Sequence, residues 1–262
     1  MRIAIQQCES IGADPKPRLA SFRAQIAGLE GKADVIVCPE LYATGYNIGV
    51  QRVRDLAEAL DGPFNSSAAE IARECDVGLI YGYAERDGDR IYNSACYIDR
   101  SGNLRANHRK LYLSGEYEEA AFDVGDRYTT CEIDGVRVGI LICFDVEFPE
   151  SVRACRASGC DLVIVPTALC ERWVHLTHTL IPTRAFENGL FLVYANYVGA
   201  EDDLVYCGNS LIVGPDGLVR ARGGDRADWV MTDIDLADNA VARRTLPYLD
   251  KLRARPEIHA AD

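Results

Sequence analysis

The chain has 262 residues, 48% of them hydrophobic, enough for the core of one α/β domain or two small ones. Its 28 Lys and Arg face 40 Asp and Glu, a net charge of −12 that argues against nucleic-acid or anionic-membrane partners and favours neutral or cationic substrates. No apolar run reaches the roughly 18 residues of a membrane span, the start MRIAIQQCES lacks a signal-peptide stretch, and ten scattered cysteines form no C-x-x-C pair, so a cytoplasmic protein with reduced thiols is expected.

In chain order, Arg2 to Cys8 reads as a strand, Lys16 to Glu30 as an amphipathic helix and Asp34 to Cys38 as a second strand. Helical periodicity returns over Arg52 to Leu60 and, after the turn Asp61-Gly62-Pro63, over Ser66 to Cys75. Val77 to Glu85 and Arg90 to Asp99 read as strands paired about Asp87-Gly88-Asp89, and a further strand after the turn at Asp99 to Asn103 leads to the Lys110 loop. Val136 to Ile142 is a strand and Glu150 to Ser158 a helix. Leu162 to Pro166 and Leu190 to Ala195 are strands around a helix over Leu176 to Glu187. Ser210 to Val213, Leu218 to Ala221 and Val230 to Ile234 complete the strands, and a tail from about residue 240 carries Leu246-Pro247-Tyr248-Leu249. With no linker or repeat, one domain is expected. Strands exceed the needs of one doubly wound sheet, so two packed sheets with helices outside are the simplest arrangement.

Three segments carry chemistry. In VRVGILICFDVEFPE an apolar strand stops at Cys143 and a proline suited to a first helical turn follows at Pro149. A cysteine on such a turn is exposed at a sheet edge beside backbone N–H groups that can stabilise an oxyanion. Glu40 follows the short strand VIVCP, at a strand end where open α/β sheets place ligand crevices. Lys110 follows a strand in NHRKLYL. A lone Glu or Lys is usually a solvated charge and a lone Cys a core residue. Together they supply a base, a cation and a nucleophile near three strand ends.

Other candidates yield to plainer roles. His175 and His178 form H-x-x-H without a third ligand pattern, so no metal site is expected. His108 beside Lys110 would make a Cys-His dyad a minor alternative. Gly12, Gly28 and Gly31 do not follow a strand as a dinucleotide fingerprint would. Asp145 and Glu150 flank the cysteine turn and suit capping and structural hydrogen bonds.

The segments CPELYATGYNIG, NHRKLYL and LICFDVEFPE resemble the carbon-nitrogen hydrolase (nitrilase) superfamily, from Met1 to about His259. The resemblance implies a four-layer α-β-β-α sandwich that pairs through an outer helical layer into a homodimer or higher homo-oligomer. It also implies a cofactor-free Glu-Lys-Cys triad acting on a small-molecule amide. Cys143 would form a thioester, Glu40 would move the protons, and Lys110 with the Phe144 N–H would hold the oxyanion. A further carboxylate is expected near the lysine; counting back from Phe122 and Gly125 selects Glu118, with Glu116 as the alternate. Arg184, Glu187 and Asn188 would brace the site.

Within the superfamily the amidase branch is nearest. Phe144-Asp145 stands where nitrilases carry Trp-Glu, and Val146-Glu147 where N-carbamoyl-amino-acid hydrolases carry arginines. The likeness extends to amidases of ω-amino amides such as 5-aminopentanamide, with Glu147 and Tyr46 as substrate-binding candidates. A nitrilase, an N-carbamoyl-amine hydrolase and an inactive scaffold on the same fold remain the alternatives; the scaffold would lack a triad member, and none is missing.

Overall fold

The computed structural model describes residues 1–259 except Ile11, Ala13 and Glu30. Its strands are β1 (Arg2–Gln7), β2 (Val35–Val37), β3 (Gly78–Asp87), β4 (Arg90–Ile98), β5 (Leu104–Arg109), β6 (Thr129–Ile133), β7 (Val136–Ile140), β8 (Leu162–Pro166), β9 (Phe191–Ala195), β10 (Val198–Glu201), β11 (Leu204–Cys207), β12 (Leu211–Val213), β13 (Val219–Arg222) and β14 (Asp228–Asp233). The α-helices are α1 (Pro15–Ile26), α2 (Val50–Leu56), α3 (Pro63–Cys75), α4 (Gly115–Ala121), α5 (Pro149–Ala157), α6 (Leu180–Asn188), α7 (Ala237–Thr245), α8 (Tyr248–Arg253) and α9 (Pro256–His259). None of the described helices is long and apolar enough to cross a membrane.

Two six-stranded sheets, ordered β14-β1-β2-β3-β4-β5 and β13-β12-β9-β8-β7-β6, pack face to face, and β10-β11 form a separate hairpin. Side-chain alternation fixes the layers. Ile3, Ile5, Val35, Val37 and Ile80 of the first sheet meet Val138, Ile140, Ile164, Phe191 and Val193 of the second. The intervening residues Ala4, Ile36 and Leu79 turn outward to Phe22, Ile26, Ala68 and Ile71 of α1 and α3. On the far side Val163, Val165 and Leu192 pack on Val152, Ile181 and Ala185 of α5 and α6. Burial on both faces explains why these strands read as unbroken aliphatic runs. The result is a single α-β-β-α domain, as expected.

Topology places the chemistry. In the first sheet β2 runs parallel to β3, β4 is antiparallel to β3, and β5 antiparallel to β4, so β2 and β5 end at the same edge. In the second sheet β7, β8 and β9 are parallel.

Several boundaries differ from the sequence expectation. The first helix runs over Pro15–Ile26, starting where Asp14 accepts the Lys16 N–H at 3.0 Å, and ends in a 3-10 turn over Ala27–Leu29; the expected last residue, Glu30, lies outside the described residues. The helix expected to reach Leu60 stops at Leu56, because the Glu58 N–H pairs with the Ala84 carbonyl at 3.1 Å. Pro63 sits in the first turn of α3, three residues ahead of the expected start, where a missing N–H costs little. The helix read over Leu176 to Glu187 is a 3-10 segment, Glu171–Thr177, followed by α6, which has Pro182 in its first turn. The elements α4, β6, β10 and β11 were not anticipated.

Candidate active site

Glu40 follows β2 by three residues, and the chain there turns sharply: Leu41 has φ +48°. The turn lies against β3 at Gly82, where an added Cβ would come within 2.2 Å of the Leu41 nitrogen, so only glycine fits. Lys110 comes directly after β5. Its N–H donates to the Asn93 carbonyl and its carbonyl accepts from the Gly125 N–H, both at 2.8 Å. Gly125 in turn lies so close to Arg109 that a Cβ would stand 2.2 Å from the Arg109 carbonyl oxygen. Lys110 therefore depends on a backbone contact that only glycine permits.

The two side chains meet in the buried interior. Lys110 Nζ donates to Glu40 Oε1 at 2.7 Å and to Glu118 Oε1 at 2.6 Å, and all three side chains are fully buried. Glu118 extends from α4; its Oε1 also accepts the Tyr46 hydroxyl at 2.7 Å, and its Oε2 accepts the Ser114 N–H at 2.8 Å. Glu116, on the same helix, is exposed and stands outside this cluster. Tyr46 thus reaches the cluster through Glu118. Glu40 Oε1 takes a second bond, from Asn93 Nδ2 at 2.7 Å, whereas Glu40 Oε2 is buried without a hydrogen-bond partner among the described residues.

Cys143 begins a 3-10 segment, Cys143–Glu147, that connects the end of β7 to α5. Its φ is +44°, a left-handed conformation that costs a non-glycine residue about 1–2 kcal/mol. The segment is held from two sides. Asp145 Oδ2 accepts the Ile142 N–H and His108 Nε2, both at 3.0 Å. Arg184 of α6 donates to the carbonyls of Val146 at 3.0 Å and Glu147 at 2.6 Å, and to Glu187 Oε1 at 3.0 Å. Both ring nitrogens of His108 are engaged, the second with Thr129 Oγ1 at 3.3 Å, which removes the Cys-His dyad.

Electrostatics follow from burial. Burial and the neighbouring Glu40 push the Cys143 thiol well above the ordinary range, with Lys110 and Thr167 opposing, so the resting group is a thiol. Burial raises Glu40 above the usual carboxylate range against the pull of Lys110. Burial alone would lower Lys110, but Glu118 and Glu40 outweigh it and hold the ammonium well above its ordinary value. The arrangement can keep a fixed cation and a basic oxygen beside a protonated thiol. The Phe144 N–H lies in the first turn of the 3-10 segment, where helical N–H groups lack partners within the helix.

Glu147 is half-buried, and its carboxylate makes no hydrogen bond or ion pair among the described residues. Burial raises it above the usual range, offset by Lys110, Arg184 and His175. Nearby, Tyr112 stacks on Phe148 at 3.9 Å and Phe144 meets Phe148 edge-on at 5.1 Å. His175 and His178 lie at the 3-10 segment after β8, and no group of three or more His, Cys, Asp or Glu among the described residues is arranged to hold a metal.

Sequence reasoning missed Asn93, although the polar pair Asn93-Ser94 in the otherwise apolar core of β4 was a usable signal. It also assigned Asp145 only a local role.

Residues 2–244 match the carbon-nitrogen hydrolase family, and the chain belongs to that family. A hydrolase encoded in the pqqF 5′ region of Pseudomonas protegens is 38% identical over 261 residues, covering 99% of this chain and 90% of that protein. An (R)-stereoselective amidase from a Pseudomonas species is 35% identical over 254 residues, covering 97% and 92%. Among solved structures, a variant of the amidase from Nesterenkonia sp. AN1, with acrylamide added at its active-site cysteine, superposes with a TM-score of 0.85 at 31% identity over 100% of both chains.

Proposed function

We propose that this protein hydrolyses a small linear aliphatic amide to a carboxylate and ammonia through a thioester on Cys143. The observation that carries the reading is the division of labour on Glu40. One carboxylate oxygen is held by Lys110 and Asn93, and the other is buried with no partner, in the same charged cluster as the thiol. An unsatisfied buried oxygen is costly unless a substrate or nucleophile completes it.

Glu40 Oε2 takes the thiol proton as Cys143 Sγ bonds to the amide carbon. The oxyanion is held by Lys110 Nζ and the Phe144 N–H. Collapse breaks the C–N bond while Glu40 returns the proton to nitrogen, releasing ammonia. Glu40 then deprotonates a water that attacks the thioester carbon; the C–S bond breaks and the thiolate recovers its proton. Glu118 balances Lys110 and, with Tyr46, fixes where the ammonium sits.

The substrate reading is an ω-amino amide such as 5-aminopentanamide. PELYATGYNIG, YGYAERDG, LVYANYVGAEDD and RRTLPYLDKLR resemble segments of 5-aminopentanamidase. Glu40, Lys110 and Glu118 carry a net negative charge, and the unpartnered Glu147 carboxylate suits an ω-ammonium group. Arg184, which lies against that turn, is already committed to backbone carbonyls and Glu187. We further propose that the enzyme works in the cytoplasm, as a homodimer or higher homo-oligomer. The experiment that tests the function is ammonia release from 5-aminopentanamide, pentanamide, glutaramate, a carbamoyl amine and a nitrile. Silence on every amide would overturn it.

A further inference from the structure

Glu201 closes β10, at the tip of the hairpin that leaves the second sheet after β9, and it is buried. A buried carboxylate is tolerated only when donors surround it. Four donors face this one. Oε2 accepts the Tyr46 N–H at 3.1 Å, the Asn47 N–H at 2.7 Å and the Tyr206 hydroxyl at 2.5 Å, and Oε1 accepts the Ser10 hydroxyl. The two N–H groups belong to the loop that follows Glu40. The hairpin grips that loop again through Asn47 Nδ2, which donates to the Glu201 carbonyl at 3.3 Å and to Asp203 Oδ1 at 2.7 Å. Gly45 makes the approach possible: its φ is +93°, and an added Cβ would stand 2.5 Å from Glu201 Oε1.

Tyr46 is thereby pinned along its length. Glu201 holds its N–H, the Tyr117 hydroxyl donates to its carbonyl at 2.6 Å, and its own hydroxyl donates to Glu118 Oε1 at 2.7 Å. The same Glu118 oxygen receives Lys110 Nζ at 2.6 Å. An unbroken line of hydrogen bonds therefore runs from Glu201 at the hairpin tip through Tyr46 and Glu118 to Lys110. Glu201 bonds the loop, and Tyr46 carries its influence into the charged cluster.

We propose that Glu201 is a positioning residue for the reaction at Cys143. Through the Tyr46 backbone it sets the Tyr46 hydroxyl on Glu118, and so places the Lys110 ammonium against the forming oxyanion. The inference rests on the amide hydrolysis proposed above.

The test is a double-mutant cycle of Glu201→Gln with Tyr46→Phe, read in two ways. The first is kcat on 5-aminopentanamide or pentanamide, whichever turns over faster. The second is the pH profile of Cys143 alkylation by iodoacetamide, followed on the Cys143 peptide by mass spectrometry. Glu201→Gln keeps the shape but turns an amide NH2 toward donors. It should lower kcat about tenfold, and Tyr46→Phe at least as much, the worth of one charge-assisted hydrogen bond. In the Tyr46→Phe background the Glu201 substitution should cost less than about twofold, because the link it serves is already cut. The alkylation profile should shift in both single variants and no further in the double variant. Should Glu201→Gln fold poorly, Glu201→Asp keeps the charge, withdraws it by one methylene and should show the same pattern. A clasp that only stabilises the fold would give equal losses of kcat in both backgrounds. That result, or an unchanged alkylation profile in Glu201→Gln, would overturn the proposal. If neither amide turns over, the amide reading fails and the alkylation cycle alone decides the role of Glu201.

Discussion

Asp145 Oδ1 accepts the Leu111 N–H at 3.0 Å, so the residue two positions after Cys143 carries the chain that leaves Lys110. The same oxygen accepts the Tyr112 N–H at 3.0 Å, while Oδ2 serves Ile142 and His108. One carboxylate thereby fastens the nucleophile turn of one sheet to the lysine loop of the other.

That fastening should be separable from the chemistry itself. Asp145→Ala leaves several buried donors unanswered and should cost about 3–5 kcal/mol of stability, because the lost acceptor is charged and buried. Asp145→Asn keeps the shape and should cost less, yet still lower kcat by misplacing Lys110 against Cys143. Urea unfolding and steady-state kinetics read the two effects; wild-type kcat in Asp145→Asn would show that the clamp does not set the geometry.

Cys143, the proposed nucleophile, also sits on strained backbone. Cys143→Ala and Cys143→Gly should both abolish turnover, but the glycine variant should be about 0.5–1 kcal/mol more stable, since relief at φ +44° exceeds the entropy glycine adds to the unfolded chain. Thermal unfolding of the pair measures the difference. An alanine variant as stable as the glycine variant would remove backbone strain from the account.

The pH profile follows from the charge cluster. The active form needs Glu40 as carboxylate, and burial raises its titration, so the acid limb of kcat/KM should lie above the range of an ordinary glutamate. Burial raises Cys143, while Glu118 and Glu40 raise Lys110 against the effect of burial, so the rate should hold beyond the ordinary thiol range on the alkaline side. These limbs belong to the coupled cluster, not to single residues. The linked stability has the opposite sense. A carboxyl raised in the folded state stabilises at low pH, and that contribution is lost as pH rises through its folded value. Glu40→Gln should therefore raise the melting temperature more at pH 8 than at pH 5 while reducing kcat by orders of magnitude. A shift of equal size at both pH values would contradict the raised titration.

Glu147 offers the test of substrate charge. Wild type should prefer 5-aminopentanamide to pentanamide by about tenfold to a hundredfold in kcat/KM, the worth of one charge-assisted hydrogen bond. Glu147→Gln should erase most of that preference with little change on pentanamide, because Arg184 holds the Glu147 backbone carbonyl and not its side chain. Equal wild-type rates on the two amides, or a preference for glutaramate, would sink the cationic-tail reading and leave the amidase reading in place.

The sequence made Glu40 and Cys143 legible as candidates because each follows an aliphatic run at a strand end, and Lys110 because it follows the polar strand LRANHR in a motif of its own. Glu118 was readable only through its spacing from Phe122 and Gly125, since α4 is a seven-residue acidic helix too short to show a period. The hairpin β10-β11 was missed because its turn is Asp202-Asp203, with Asp202 at φ +51° and no glycine to mark it. Asn93 left a local mark, a polar pair inside an apolar strand, that went unread. The long reach of Asp145 was illegible for another reason, since it bonds residues tens of positions away and no local pattern records such pairings.

Glu40 and Lys110 ride on the rim of one sheet and Cys143 on the rim of the other, so the gap between them is gauged by aliphatic filler. Val37, Ile80, Ile140 and Ile164, which have no chemistry of their own, act as shims between two plates. Thinning that layer by one methylene, as in Ile140→Val, costs only about 0.5–1.5 kcal/mol of stability. On the proposed mechanism it should also shift the alignment of Glu40 and Cys143, which would make the dullest part of the core a dial for turnover.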